Sequence, residues 1–214
     1  MKNLNIEKPC EAKVDWCSKI ENLTCSISGG TLTIEGNDKI PNCCVYDNVR
    51  EGLFTGLVQN NGIISVVMKD VLSIGEIAFR DCCSLTSITI PDSVESIEYG
   101  AFWGCSGLTS ITIPNSVKSI ERCAFNDCRN LQTITIGNSV EFIGDYVFCG
   151  CRGLTEIINY VEKPQKLDRF PNIFYGVDKD NCILRVNESC LSDYNSDIIW
   201  RGIFKNIENI SQIE

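Results

Sequence analysis

The most informative absence in this 214-residue sequence is histidine. Without imidazole the chain lacks the commonest general base, the usual partner of serine and cysteine nucleophiles, and the commonest metal ligand. No apolar run approaches the roughly 18 residues that a membrane-spanning helix requires. The N-terminal stretch MKNLNIEKPCEAKVDWCSKIENLTC has no apolar segment of the signal-peptide type. We therefore expect neither histidine-based catalysis nor a membrane-spanning segment.

Charge and cysteine spacing argue against two further classes of ligand. The chain has 28 acidic and 19 basic residues and a net charge of −9. Such a surface repels phosphate backbones, so nucleic acid is not expected as a partner. The 14 cysteines include no paired C-x-x-C motifs with zinc spacing. We therefore predict no metal site and no cofactor.

What the sequence does contain is a repeat. The stretch LTSITIPDSVESIEYGAFWGC begins at Leu85, and LTSITIPNSVKSIERCAFNDC begins 23 residues later, at Leu108. Stepping along the chain by this interval gives columns of one residue type: Leu85, Leu108, Leu131 and Leu154; Val71, Val94, Val117 and Val140; Ile74, Ile97, Ile120 and Ile143; Phe79, Phe102, Phe125 and Phe148; Cys82, Cys105, Cys128 and Cys151. A fixed period over several units is the signature of a repeat protein, in which stacked units bury one continuous core.

Each unit begins with a pattern typical of a short, half-buried strand. Leu85, Ile88 and Ile90 are interspersed with polar residues, and Pro91 then ends the pairing of the strand. Val94 and Ile97 face inward again, and an Ala-Phe pair closes the unit. The pattern predicts a β-rich right-handed solenoid of 23-residue coils, with one strand per coil and a parallel sheet on one face.

The cysteine column is predicted to be part of the core. It lies next to the phenylalanine column, where cysteine acts as a small apolar residue. Neighbouring strands are roughly 4.8 Å apart, so distance does not exclude a disulfide between coils. Side chains of one column point the same way, however, which favours free thiols. Export would permit disulfides among the first five cysteines: Cys10, Cys17, Cys25, Cys43 and Cys44.

The repeats resemble the BspA-like, or Treponema-type, bacterial leucine-rich repeats. The stretch SLTSITIPDSVESIEYGAFWGC and its copies carry the likeness, through the order strand, Pro, Ser-Val, Ser-Ile, Ala-Phe and Cys. SGGTLTIEGNDKIPN, from Ser28, resembles the hairpin-like segment that precedes such repeats, and its Gly29-Gly30 pair predicts a hairpin turn. The segment from Phe174 onward resembles the closing segment of the family, except that Asn187-Glu188 replaces the more usual Pro-Gly.

The resemblance divides the chain into four parts. Residues 1–22 remain unassigned, 23–61 form an N-terminal hairpin-like β cap, 62–161 the solenoid, and 162–214 a C-terminal α/β cap. Residues 183–186 can add an extended element, and Leu191, Tyr194 and Ile198 recur at helical spacing. Trp200 and Phe204 are most simply core residues of this cap. Such caps are needed because the last coil would otherwise expose apolar side chains and strand edges.

The resemblance implies function only at the level of a class. Members are typically surface or secreted bacterial proteins, and some are adhesins that bind host extracellular proteins. We therefore expect a non-catalytic module, located extracellularly or on the cell surface with its export signal removed, that binds a protein or a glycan. The cytoplasm is the other location considered. Alternative hypotheses are a structural spacer within a larger surface protein and, more remotely, a carboxylate-based hydrolase.

Two sets of residues are candidates for contact with a ligand. The outward positions of the repeat strands, taken as five strands and a face about 20 Å wide, include Ser87, Thr89, Ser110, Thr112, Thr133, Thr135, Glu156 and Tyr160. The column of Tyr160 also contains Pro91, Pro114 and Gly137, which we expect to face outward too. On the opposite arc, Tyr99 and Trp103 vary between units, and the column of Trp103 is largely polar, which predicts exposure. Two simpler interpretations remain open: the hydroxyl groups only solvate the sheet, and Trp103 lies flat on its neighbours.

Overall fold

The computed structural model describes residues 22–42, 52–167 and 172–212. These ranges contain three short helices, α1 Thr55–Asn60, α2 Leu191–Ser196 and α3 Ile198–Ile203. The strands in these ranges are β1 Thr24–Ser28, β2 Thr31–Glu35, β3 Lys39–Ile40, β4 Ser65–Lys69, β5 Ser73–Ile74, β6 Ser87–Thr89, β7 Ser96–Ile97, β8 Ser110–Ile113, β9 Ser119–Ile120, β10 Thr133–Ile136, β11 Phe142–Ile143, β12 Glu156–Asn159, β13 Lys166–Leu167, β14 Ile183–Val186 and β15 Asn206–Asn209. Residues 172–174, 188–190 and 210–212 form single 3-10 turns.

The longer strands build one broad side of the molecule. β1 pairs antiparallel with β2, and β2, β4 and β6 then run parallel to one another. β8, β10, β12, β14 and β15 continue the parallel arrangement as a second ladder, with β6 and β8 side by side where the ladder is interrupted. Thr133 aligns with Ser110 on one side and with Glu156 on the other, as the repeat interval predicts.

A second parallel sheet lies on another side of each coil, and the sequence analysis did not predict it. Its six two-residue strands are ordered β13-β11-β9-β7-β5-β3. In the repeat they correspond to the Ser-Ile step, with Ile74, Ile97, Ile120 and Ile143 buried. Two residues are too few to display the period-2 alternation that identifies a strand, which is why this sheet was missed.

The third side of each coil is joined to the next by backbone hydrogen bonds in the Ala-Phe turns. The amide of Phe79 donates to the carbonyl oxygen of Ala101 at 2.7 Å, and the amide of Phe102 donates to that of Ala124 at 2.8 Å. Together with the two sheets, these bonds satisfy backbone polar groups that stacking removes from water. Neighbouring coils in this region are therefore bonded to each other on three sides.

The core contains a continuous stack of phenylalanine rings. Successive ring centroids from Phe79 to Phe148 lie 5.3, 5.2 and 5.8 Å apart, with the rings within 16° of parallel. This confirms the predicted column. Phe54 extends the stack at one end, at 4.8 Å from Phe79, and Phe174 extends it at the other, at 5.5 Å from Phe148. Neither belongs to the strict 23-residue spacing, so the repeat alone did not reveal them.

The two ends of the described chain close differently. The β1–β2 hairpin turns at Gly29 and Gly30, whose φ angles of 55° and 77° are readily adopted only by glycine. This confirms the predicted turn. At the other end Tyr194, Trp200 and Phe204 are fully buried, as predicted for Trp200 and Phe204.

The prediction drawn from helical spacing at the C-terminal end was only partly correct. Ile198 was expected to share a buried face with Tyr194, yet it is 90% exposed. The helix ends before Asp197, which is extended, and a new helix begins there. The carboxylate of Asp197 accepts hydrogen bonds from the amides of Ile199 and Trp200 and so caps α3. This break rotates Ile198 out of the core.

Candidate interaction surface

The outward side chains of the broad side form two parallel rows, which we call the strand face. The first row runs Thr31, Ser65, Ser87 and, after the interruption, Ser110, Thr133, Glu156, Ile183, Asn206. The second row runs Thr33, Val67, Thr89 and, after the interruption, Thr112, Thr135, Ile158, Arg185, Glu208. The rows are regular because side chains alternate along each strand and coils repeat in register.

The structure places seven of the eight predicted strand-face residues in these two rows, and the eighth, Tyr160, directly follows β12. The exposed ones are Ser87, Thr89, Ser110, Thr112 and Tyr160, and the half-buried ones are Thr133, Thr135 and Glu156. Their inward neighbours in β10, Ile134 and Ile136, are buried, as the alternation predicts. Their proposed role in binding a ligand stays a prediction.

The expected outward column of Pro91, Pro114, Gly137 and Tyr160 was partly wrong. Pro114 and Gly137 are buried, whereas Pro91 is half-buried and Tyr160 is exposed. The amide of Gly137 donates to the carbonyl oxygen of Ile113 at 2.9 Å, and a Cβ at Gly137 would lie 2.6 Å from the backbone of Pro114. The two coils approach each other so closely here that no side chain fits between them.

The strand face is also wider than the sequence indicated. Eight parallel strands contribute to it, and the hairpin strand β1 adds a ninth. At roughly 4.8 Å per interval, the eight parallel strands span about 34 Å, against the five strands and about 20 Å expected. The strands outside the strict repeat account for the difference. Of these, β14 had been noted as an extended element, but β15 had no periodic signal.

A charged group on β12, β14 and β15 was missed by the sequence analysis, which had named only its member Glu156. The guanidinium of Arg185 donates from Nε to Oε1 of Glu156 at 2.7 Å and from Nη1 to Oε2 of Glu208 at 2.9 Å. Register places Arg185 between Ile158 and Glu208. Glu156 and Glu208 are 52 positions apart in the sequence, and only the stacking of three strands brings them to one arginine.

The opposite arc holds Tyr99 and Trp103, which pack against each other, and their role in binding a ligand stays a prediction. Trp103 is half-buried, with the guanidinium carbon of Arg80 4.3 Å from its ring centroid and Tyr99 packed edge-on at 6.4 Å. This supports the interpretation that Trp103 lies on its neighbours. The polar column did not predict exposure correctly, because Asn126 in the same column is buried. A comparable pair, with Arg122 at 5.4 Å from the ring of Tyr146, lies further along this arc.

The cysteine column is buried and reduced, as predicted. Cys82, Cys105, Cys128 and Cys151 are fully buried free thiols. Each of the last three donates a hydrogen bond to the carbonyl oxygen of a phenylalanine in the preceding coil, at 3.0 to 3.3 Å. Burial raises the pKa of these thiols, in the case of Cys82 to about 12. The column therefore contributes packing and hydrogen bonds, with little thiolate available for reaction.

The prediction of disulfides near the N-terminus concerns five cysteines. Cys10, Cys17, Cys43 and Cys44 fall outside the described residues, as does the unassigned segment apart from Asn22. Cys25, in β1, is a free thiol whose pKa burial raises to about 11.

The described ranges lack two kinds of feature. Within them, no group of three or more histidine, cysteine, aspartate or glutamate residues is arranged to hold a metal ion. Among the helices of residues 22–42, 52–167 and 172–212, none combines the length and apolar character needed to traverse a bilayer.

Residues 59–176 match the family model described as the BspA type Leucine rich repeat region, in six copies. The chain belongs to this family. As a BspA-type leucine-rich repeat protein it carries the repeat that the sequence analysis recognised by resemblance, and the match covers more than half of the chain.

Two solved structures with TM-scores above 0.5 show the same fold. The T. pallidum leucine-rich repeat protein TpLRR is 22% identical over 77% of this chain and 82% of its own, with a TM-score of 0.52. The pneumococcal vaccine antigen PcpA is 20% identical over 84% of this chain, with a TM-score of 0.55, but the match covers only 46% of PcpA. A Bacteroides ovatus ATCC 8483 leucine-rich repeat protein is 28% identical, with 59% of this chain and 31% of that chain covered and a TM-score of 0.49. No curated protein sequence matches the chain.

Proposed function

We propose that this BspA-type leucine-rich repeat protein is a non-catalytic interaction module that binds a protein or a glycan through its strand face. The observation that carries the proposal is the strand face itself: eight parallel strands present outward side chains in two ordered rows. Solenoids bind partners through such extended surfaces. The opposite arc is a weaker candidate because Arg80 and Tyr99 already cover Trp103.

The proposal includes the cellular setting and the division of the chain. The protein acts on the bacterial cell surface or after secretion, in adhesion, which membership of this family supports. In this proposal the coils are right-handed and repeat every 23 residues. Residues 23–61 and 162–214 cap the solenoid at 62–161. The caps keep the ends of the phenylalanine stack out of water. Surface biotinylation of intact cells followed by fractionation tests the location.

A binding comparison tests the proposed surface. Purified protein is applied to a glycan array and a panel of extracellular proteins, together with a Thr112→Arg variant and an Asn130→Arg variant. Thr112 lies on the strand face and Asn130 in the exposed turn that follows Cys128. Loss of binding for Thr112→Arg alone supports the strand face. Equal loss of binding for both variants contradicts it. It is also contradicted if the original protein and both variants fail to bind any glycan or protein.

Two other functions, a structural spacer and a carboxylate-based hydrolase, predict different experimental results. A structural spacer would bind nothing on these arrays and would occur in a gene with further binding domains. A carboxylate-based hydrolase would use a pair such as Glu156 and Glu208, but Arg185 occupies the space between them, where a scissile bond would have to lie. Turnover of chromogenic glycosides that a Glu156→Gln substitution abolishes would favour the hydrolase over the binding module.

A further inference from the structure

The chemistry of the strand face changes along the solenoid. From β6 to β10 its outward residues are hydroxyl-bearing, namely Ser87, Thr89, Ser110, Thr112, Thr133 and Thr135. From β12 to β15 charged and apolar side chains replace them, except for Asn206 at the end of the first row. We call this second region the C-terminal patch, and its members are Glu156, Ile158, Tyr160, Ile183, Arg185 and Glu208.

The charges in the C-terminal patch lie at different depths. The side chain of Arg185 is 13% exposed, whereas those of Glu156 and Glu208 are 27% and 38% exposed. The two carboxylates outweigh the single guanidinium, which also lies deeper. An approaching molecule therefore meets negative charge first.

Each carboxylate retains capacity for another donor. Glu156 uses Oε1 and Glu208 uses Oε2 to accept from Arg185, so the second oxygen of each is not used by this ion pair. Arg185 fixes the two carboxylates in place through charge-assisted bonds, so less side-chain entropy remains to be lost when a ligand binds. Preorganised carboxylates of this kind suit an incoming ammonium or guanidinium group.

Apolar contact area lies directly beside these carboxylates. Ile158 aligns with Arg185 across the strands, and Ile183 aligns with Glu156. Both isoleucines are half-buried, and Tyr160 is 38% exposed. Lysine and arginine side chains combine an aliphatic stem with a cationic head, and tyrosine is enriched among residues that dominate binding energy.

We propose that the C-terminal patch binds a basic, extended segment of a partner protein. A lysine or arginine of that segment places its stem over Ile158 and Tyr160 and donates to the second oxygens of Glu156 and Glu208. The net charge of −9 attracts such a segment from a distance. This inference rests on the proposed function, since it names the partner class for the strand face.

Defined peptides test the inference. Twelve-residue peptides carrying three lysines or arginines are compared with versions in which these are replaced by norleucine or citrulline, or by glutamate. Affinities are measured by fluorescence anisotropy at 50 and 300 mM sodium chloride. We expect the basic peptides to bind most tightly, with affinity falling as salt increases.

Three variants locate the contact. The double substitution Glu156→Gln with Glu208→Gln is expected to weaken binding of the basic peptides at least about tenfold, because it removes both charge-assisted contacts to the incoming cation. The matched control, Glu95→Gln with Glu141→Gln, removes two exposed carboxylates near the two-residue strands and is expected to change affinity less than about twofold. Tyr160→Ala, which leaves the ion pairs intact, is expected to weaken binding without changing its salt dependence. Thermal unfolding of each variant checks that it is folded.

The outcomes separate the two proposals. Equal effects of the patch and control double variants, or equal binding of basic and neutral peptides, overturn the basic-segment inference. If glycans or acidic proteins bind the strand face instead, the inference fails while the proposed function stands. If neither peptides, proteins nor glycans bind, both fail.

Discussion

The thiol of Cys105 donates a hydrogen bond to the carbonyl oxygen of Phe79 at 3.0 Å, and this bond joins one coil to the coil before it. Cys128 and Cys151 repeat the relationship with Phe102 and Phe125. The same carbonyl of Phe79 also accepts from the amide of Cys82 at 3.2 Å. The cysteine column is thus part of the bonding between coils as well as of the apolar core.

Replacing Cys105 with alanine is expected to destabilise the protein by about 1–2 kcal/mol, because it removes a buried sulfur and one hydrogen bond. Urea unfolding followed by circular dichroism measures the change. The control is Cys83→Ala, an exposed thiol one residue from the column, for which we expect less than about 0.5 kcal/mol. Equal effects of the two substitutions would contradict a core role for the column.

Stability is expected to decrease in alkaline solution. Burial raises the pKa of Cys82 and Cys182 to about 12, from an ordinary value of 9.0. Between these values the unfolded chain loses the proton and the folded chain keeps it, so each thiol lowers the free energy of unfolding by about 1.4 kcal/mol per pH unit at most. Below pH 9 this contribution is fully present. Urea unfolding at pH 8 and pH 10.5 measures it.

The control for the alkaline effect is Cys182→Ala. This variant lacks one of the shifted thiols and should lose less stability between the two pH values than the original protein does. Identical losses would show that burial of Cys182 does not contribute to the pH dependence.

Gly137→Ala is expected to destabilise the protein by about 2–3 kcal/mol, since the added methyl group would overlap the backbone of Pro114 in the preceding coil. Gly202→Ala provides the opposite case. Nothing lies within 4 Å of a Cβ at Gly202, and in α3 alanine is favoured over glycine by up to about 1 kcal/mol. Chemical denaturation of both variants shows whether the loss of stability comes from the close approach of the two coils at Gly137 or from replacing any glycine. Destabilisation by both substitutions would contradict the role given to the close approach.

Tyr194→Phe is expected to destabilise the C-terminal end by about 1–3 kcal/mol, because its hydroxyl completes a buried polar network. The hydroxyl lies 3.1 Å from Nδ2 of Asn159 and 3.1 Å from Oε1 of Gln165. Tyr175→Phe, at a position that is 67% exposed, should change stability by less than about 0.5 kcal/mol. Hydrogen exchange over residues 159–165 would show local loss of protection in the first variant only. Uniform loss in both would argue against the network.

The repeated part of the fold was predictable because its constraints are periodic. Phe79, Phe102, Phe125 and Phe148 had to stack once the chain returned to the same place at a fixed interval. Features that break the interval were not predictable in this way. Phe54 and Phe174 join the stack from segments with other spacings, and Ile198 turns outward because Asp197 begins a new helix.

The features of the strand face and of the opposite arc can likewise be divided into those that the repeat predicts and those that it does not. By itself the sequence determined the coil, its inward columns and the outward hydroxyl rows from Ser87 to Thr135, because side-chain direction follows from strand alternation. Only the tertiary structure decided that Pro114 is buried, that Trp103 is covered by Arg80, and that Glu156 and Glu208 meet at Arg185. These features depend on the spacing and register of neighbouring coils, and residues far apart in the sequence come together there only after the coils have stacked.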